Sequence, residues 1–158
     1  MTQQLQSELW KAGASTFEEM GFVFAEPEVS EEQAEQGVAW CATVTYRGLV
    51  SGTLEIGFSA PLATELAANM LGAEPPVAPR LTRDALGEIA NVVCGNLVPS
   101  LGGPEDVFHL DAPEVGPVTE SPVRSNPPAA RVVIGAGEGQ AKLALHITGA
   151  VPEMEGGS

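Results

Sequence analysis

The chain has 158 residues, of which 44% are hydrophobic, and its 21 acidic and 7 basic side chains give a net charge of −14. This length and apolar content are typical of one globular domain with its own core, and we assign residues 1–150 to that domain. The negative charge disfavours nucleic acid and anionic membranes as partners, because both would repel the protein at long range.

The first half of the chain predicts a helix, a β-hairpin and a second helix. Apolar residues recur at helical spacing over Gln3–Met20, and Gly21 is expected to end that helix. Apolar and polar residues alternate over Val38–Tyr46, and a second strand-like run, Leu49–Phe58, follows a short turn. Pro61–Leu71 then begins with proline and is followed by glycine, which is the usual asymmetry of helix ends.

The second half predicts a longer amphipathic helix followed by short strands. We expect Thr82 to be the N-cap of this helix, and Pro99 marks where the helix must kink or end. Strands are expected near 107–110 and at 114–118, 131–136 and 140–148. Helices packed on an antiparallel sheet of about six strands make an α+β fold. Residues 151–158 are expected to be a flexible tail.

No secretion signal, membrane span, disulfide or metal site is predicted. The N-terminus has no basic segment followed by an apolar run, and no segment approaches the roughly 18 apolar residues of a spanning helix, so we expect a cytoplasmic protein. Cys41 and Cys94 lack metal-like spacing and are interpreted as reduced thiols. His109 and His146 have no carboxylate or cysteine at ligand spacing.

A carboxylate and a primary amide lie three residues apart on the longer helix. Glu88 and Asn91 follow Asp84 along the polar stripe, because residues three or four apart lie on one face of a helix. Gly87 and Gly95 lie one turn on either side of Asn91, and each glycine inside a helix costs about 1 kcal/mol relative to alanine. A helix with this profile suits close approach by another molecule's backbone.

These residues resemble the signature helix of the CheC/CheX/FliY group of chemotaxis phosphatases. In that pattern an acidic or serine residue precedes Glu-x-x-Asn, and a small residue follows one turn later. Four further segments follow the order of the CheX subgroup, and the resemblance covers roughly residues 15–148. The segments are Val44–Gly48, Ser51–Phe58, the helix-like Pro61–Leu71 that ends in Met70-Leu71-Gly72, and Leu110–Val115. The chain has one Glu-x-x-Asn helix, whereas CheC-type members are similar to an internal duplication and carry two such helices.

The resemblance implies a CheC/CheX-like fold and a phosphatase that acts on the aspartyl phosphate of a phosphorylated CheY-like receiver domain. By this resemblance Asn91 orients the attacking water and Glu88 pairs with the receiver's lysine. Mg²⁺ is expected on the partner receiver, and the protein is expected to need no cofactor of its own. A possible homodimer is also considered, because the family includes dimers and edge strands invite pairing.

Other interpretations of the same residues stay open. Without the resemblance, Glu88 and Asn91 are an ordinary solvated helix face. A CheX-like module could also bind a receiver or a scaffold without turning phosphate over. Gly87 and Gly95 could serve helix packing rather than access by a partner. The acidic charge is also unfavourable, because the pocket of a receiver is itself lined with carboxylates.

Overall fold

The computed structural model describes residues 2–102, 106–118 and 127–148. The sequence also predicts a loop rich in proline, serine and asparagine at 121–128, which lies largely outside the described residues, and the expected tail at 151–158 lies entirely outside them. The helices are α1 (Thr2–Gly21), α2 (Glu31–Ala34), α3 (Ala60–Leu71) and α4 (Pro79–Leu97). The strands are β1 (Ala25–Glu26), β2 (Val38–Arg47), β3 (Gly52–Ser59), β4 (His109–Leu110), β5 (Glu114–Pro117), β6 (Ala130–Ala136) and β7 (Gly139–Ile147).

The seven strands form one antiparallel sheet that occupies six positions. Its order is β1-β6-β7-β3-β2, and both β4 and β5 pair with the free edge of β2. Because β4 and β5 are two short pieces of one interrupted edge, the prediction of about six strands in an α+β fold is confirmed. Among the described residues, no helix has the length and apolar character needed to cross a bilayer.

The core lies between one face of the sheet and helices α1, α3 and α4. Alternate residues of the central strands point into it, as the period-two pattern of β2 and β3 predicts. The largest fully buried side chains come from both layers: Leu9, Phe17, Tyr46, Leu54, Ile56, Phe58, Leu62, Leu66, Leu86, Ile89, Leu97 and Ile134. The rings of Phe17 on α1 and Phe58 on β3 have centroids 6.3 Å apart, which ties the first helix to the centre of the sheet.

α4 begins three residues before the expected cap. Ala78 occupies the N-cap position and Pro79 the first helical turn, and the Thr82 amide already donates to the Ala78 carbonyl at 2.9 Å. The assignment of Thr82 as the cap is therefore wrong. Proline fixes φ near the helical value and has no amide hydrogen to leave unsatisfied, so it starts the helix without a capping side chain. The side chain of Thr82 is buried instead.

α1 ends at Gly21, as predicted, but through a different mechanism. The residue with left-handed backbone is Phe22, with φ of 53°, and its amide donates to the Glu18 carbonyl at 3.1 Å. This is an αL helix end in which a phenylalanine replaces the usual glycine. Gly21 is needed for space, because a Cβ there would lie at 2.5 Å from the Cδ2 of Leu66 on α3.

A buried tyrosine joins three central strands. The hydroxyl of Tyr46 on β2 donates to the His146 carbonyl on β7 at 2.8 Å, across the start of β3 at Gly52. Burial, with Cys94 nearby, raises the pKa of Tyr46 well above its usual range, so the hydroxyl stays a neutral donor. A Cβ at Gly52 would collide with the His146 carbonyl and crowd the Tyr46 hydroxyl. Glycine at position 52 therefore permits this hydrogen bond.

We predict that Gly52→Ala lowers the free energy of unfolding by about 2 kcal/mol, because strand β7 must shift and the buried hydrogen bond is lost. For a domain of this size the melting temperature should fall by roughly 4–8 °C. Gly37→Ala is the matched control, since a Cβ there meets nothing within 4 Å. Equal melting temperatures for the two variants, measured by circular dichroism, would contradict this account of Gly52.

The two thiols are predicted to differ in reactivity. Cys94 is fully buried on α4, and burial raises its pKa to about 12, whereas Cys41 on β2 is partly exposed. At pH 8 only roughly one Cys94 thiol in ten thousand is then the reactive thiolate. Iodoacetamide should modify Cys41 in the native protein and both cysteines in denaturant, as measured by peptide mass spectrometry. Equal rates of iodoacetamide modification at Cys41 and Cys94 in the native protein would show that Cys94 is accessible.

Candidate functional site

Helix α4 separates an apolar face from a polar one along its whole length. Its apolar residues pack into the core, and Cys94 lies among them; the buried set is Thr82, Ala85, Leu86, Gly87, Ile89, Ala90, Val93, Cys94 and Leu97. The opposite stripe is exposed and consists of Arg83, Asp84, Glu88, Asn91 and Gly95. The helix is therefore held on one side and open on the other.

Glu88 and Asn91 both project from the exposed stripe. They lie three residues apart, which is a rise of about 4.5 Å along the helix. Among the residues that the structure describes, neither side chain has a hydrogen-bond or ion-pair partner. Their carboxylate and amide groups are thus available to bind a group from outside the chain.

An open groove of about 520 Å³ lies beside this pair. One wall is α4 and the other is the edge segment that contains β5; the lining residues are Arg83, Asp84, Gly87, Glu88, Asn91, Pro113 and Val115. The edge segment is held next to α4 by its link to β2. There the guanidinium of Arg47 contacts the Asp111 carboxylate at 2.7 Å, and the Asp111 amide donates to the Thr45 carbonyl at 2.9 Å.

The two glycines of the helix serve different purposes. A Cβ on Gly87 would lie 3.3 Å from Pro113 and 3.4 Å from Val115, so glycine lets α4 and the edge segment approach closely. A Cβ on Gly95 would meet nothing within 4 Å, and Gly95 is exposed. Packing therefore explains Gly87 but gives no reason for Gly95, which lies one helical turn from Asn91.

The sequence did not identify Arg83, Pro113 or Val115 as residues of the site. Pro113 and Val115 belong to a segment that follows the CheX-like order, but nothing in its composition places it against α4. The sequence did contain one signal of this contact, which is Gly87, because a glycine inside a helix often marks the close approach of another segment. Arg83 could have been found from its position, next to Asp84 and two residues after Leu81, at the start of the exposed stripe that continues to Glu88 and Asn91.

The remaining polar residues considered from the sequence lie elsewhere. The Asn96 amide donates to the Thr16 hydroxyl on α1 at 3.4 Å, so this residue faces the first helix. His109 is exposed on β4. The His146 ring lies 3.1 Å from the Glu55 carboxylate on the neighbouring strand, a pairing that residues 91 positions apart do not reveal in sequence. In the described part of the chain, no three His, Cys, Asp or Glu residues are grouped to hold a metal.

Known structures share this fold. The chemotaxis protein CheX from Vibrio vulnificus is 20% identical, with a TM-score of 0.71 over 92% of this chain and 97% of that protein. A CheC-like superfamily protein from Shewanella is 18% identical, with a TM-score of 0.68 over 94% of this chain and all of the other. The CheX of a CheX-CheY-BeF3-Mg complex from Borrelia burgdorferi is 16% identical, with a TM-score of 0.63 over 89% and 96% of the two chains.

Sequence comparison identifies the family. A search of curated proteins finds no match. The family model described as "Chemotaxis phosphatase CheX" matches residues 40–136, which is more than half of the chain and includes all of α4 and the groove. The chain belongs to the CheX family of the CheC/CheX/FliY chemotaxis phosphatases.

Proposed function

We propose that this protein accelerates hydrolysis of the aspartyl phosphate on a CheY-like receiver domain. The observation that carries the proposal is the pair Glu88 and Asn91, exposed and without partners in the described part of the chain, at the edge of an open groove. Membership of the CheX family supports it. The Borrelia complex adds support, since a relative with this fold is there bound to CheY, BeF3 and Mg²⁺.

Asn91 is assigned the task of orienting the attacking water. An aspartyl phosphate already contains a good leaving group and is held with Mg²⁺ on the receiver, so a helper protein has little covalent chemistry to perform. A primary amide both accepts and donates hydrogen bonds without changing its protonation state. It can therefore hold a water in line with phosphorus, as a glutamine does in small GTPases.

Glu88 is assigned the task of anchoring the receiver through its lysine. A charge-assisted contact is stronger than a neutral hydrogen bond and fixes the register of two surfaces as well as adding affinity. Glu88 lies one turn before Asn91 on the same exposed stripe, so the anchor and the water-orienting group are carried by one element.

The packing of α4 supports catalysis by positioning. Its buried residues are in contact with the sheet and with α1 and α3, and the site residues lie in the middle of the helix and away from its ends. A helix held in this way keeps the Glu88 carboxylate and the Asn91 amide in a fixed geometry. Most of the rate gain from an oriented water arises from such fixed positioning. The proposal includes a cytoplasmic location, where phosphorylated receivers occur, while the homodimer stays a prediction.

Asn91→Ala is predicted to remove the catalysis and to leave binding intact. The rate of phosphate loss from a phosphorylated CheY-like receiver at saturating protein should fall by about 100-fold or more, towards the receiver's own rate. Affinity for the receiver activated with beryllofluoride and Mg²⁺ should change little. The matched control is Asn96→Ala on the same helix, which should keep the wild-type rate.

Glu88→Gln should mainly weaken binding. Truncating one member of a charged interface pair costs about 2 kcal/mol or more, which corresponds to roughly 30-fold in affinity.

If the wild-type protein binds the activated receiver and leaves the phosphate lifetime unchanged, the phosphatase assignment is wrong and the chain is a binding module. If Asn96→Ala is as defective as Asn91→Ala, the amide of Asn91 has no special role.

Gly95→Leu tests whether the open surface beside Asn91 is needed. The substitution should raise the stability of the free protein, because leucine is a better helix former than glycine and a Cβ at this exposed position meets nothing within 4 Å. Affinity for the activated receiver should nevertheless fall, since the new side chain occupies surface next to Asn91. Thermal melting and receiver titration would measure the two effects, and unchanged affinity would contradict a contact at Gly95.

A further inference from the structure

Two of the seven basic residues of this acidic chain lie in the first turns of α4. Arg80 and Arg83 are both exposed, and Arg83 lines the groove that also contains Glu88 and Asn91. In a protein with a net charge of −14, a local pair of cations beside the candidate site needs a physical reason.

Folding does not supply that reason. The N-terminal end of a helix carries a partial positive charge, so cations there are unfavourable and carboxylates are favoured. The first turn of α4 contains no acidic residue. Among the described residues, neither Arg80 nor Arg83 has a hydrogen bond or an ion pair. The two guanidinium groups therefore oppose the helix dipole without a compensating contact inside the chain.

The position of Arg83 separates it from the chemistry. Arg83 precedes Asn91 by eight residues, a rise of about 12 Å along the helix, and helical side chains lean towards the N-terminus. Its Cα therefore lies more than two helical turns from that of Asn91, and its long side chain leans away from Asn91. It can reach the part of a docked receiver that surrounds the phosphorylated pocket.

We propose that Arg83, with Arg80 beside it, is a docking contact that pairs with a carboxylate at the rim of the receiver's pocket. This inference rests on the proposed function, because it takes the partner to be a receiver with a carboxylate-lined pocket. A guanidinium suits this task, since its fork of N–H groups matches a carboxylate in a bidentate geometry. The contact supplies a local attraction where the net charges of the two proteins repel.

The test compares two charge reversals that change the net charge equally. Arg83→Glu places an acid at the groove, whereas Arg131→Glu places one at an exposed site on β6. Gln6 bonds to the backbone carbonyl of residue 131, so this hydrogen bond does not involve the side chain that is replaced. Affinity would be titrated with a CheY-like receiver activated by beryllofluoride and Mg²⁺. Dephosphorylation rates would be followed over a range of protein concentrations.

Arg83→Glu should raise the dissociation constant and the KM about five- to tenfold and leave the rate at saturation within about twofold. Arg131→Glu should change each quantity by less than about twofold. The defect of Arg83→Glu should shrink in 0.5 M salt, because screening weakens a contact between exposed charges. A structural defect would not be relieved by salt in this way.

Three results would overturn the inference: equal effects of the two reversals, a fall in the saturated rate at unchanged affinity, or a defect of Arg83→Glu that does not depend on salt. The proposed function fails by a different result, which is binding of the activated receiver without accelerated phosphate loss. Arg83→Glu changes affinity and Asn91→Ala changes the saturated rate, so each assignment can fail without the other.

Discussion

The burial of one face of α4 is the constraint on which the rest of the site depends. Its apolar stripe, from Leu86 through Ile89 and Val93 to Leu97, is fully or almost fully removed from solvent against the sheet and the neighbouring helices. Burying each such side chain contributes about 1.5–3 kcal/mol relative to exposure, which far exceeds the cost of one or two helical glycines. Once that face is fixed, the helical period alone points Glu88 and Asn91 outward.

The second wall of the groove depends on contacts made at the edge of the sheet. The β4–β5 segment is short and, among the described residues, pairs with β2 alone, so strand pairing gives it few hydrogen bonds. Between its two strands, the Asp111 amide donates to the Thr45 carbonyl, and the exposed Arg47–Asp111 ion pair adds a second contact. A Cβ on Gly87 would lie 3.3 Å from Pro113, so glycine eases the close approach of this segment to α4. The groove therefore lies where a helix and an interrupted edge strand meet at a glycine.

Most of the fold and the polar stripe of α4 could be predicted from the sequence, since both follow from local periodicity. The predicted start at Thr82 failed because the rule for capping side chains competes with a proline that needs no cap, and here Pro79 determines the boundary. Gly21 was expected to end α1, yet Phe22 adopts the left-handed conformation while Gly21 makes room for Leu66. A competing local rule therefore determines the start of α4, whereas packing against the distant helix α3 accounts for the glycine at the end of α1.

Features that join distant parts of the chain could not be predicted in this way. Glu55 and His146 are 91 residues apart and meet only because β3 and β7 are neighbours in the sheet. The same holds for the groove, whose walls come from α4 and from residues 113–115. A single sequence records which residues are apolar, but the pairing of strands decides which of the polar ones meet.

The net negative charge of the chain and the arginines on α4 act over different distances from a partner. At physiological ionic strength the Debye length is about 8 Å, so the net charge acts mainly on the rate of encounter, and it does so weakly. Once two surfaces touch, the charges at the contact determine the energy, and the exposed stripe of α4 offers acids at Asp84 and Glu88 and a cation at Arg83. A receiver presents both a lysine and carboxylates around one phosphorylated site. A helix with opposite charges at defined spacing can match that pattern, whereas a uniformly acidic surface would be repelled by it.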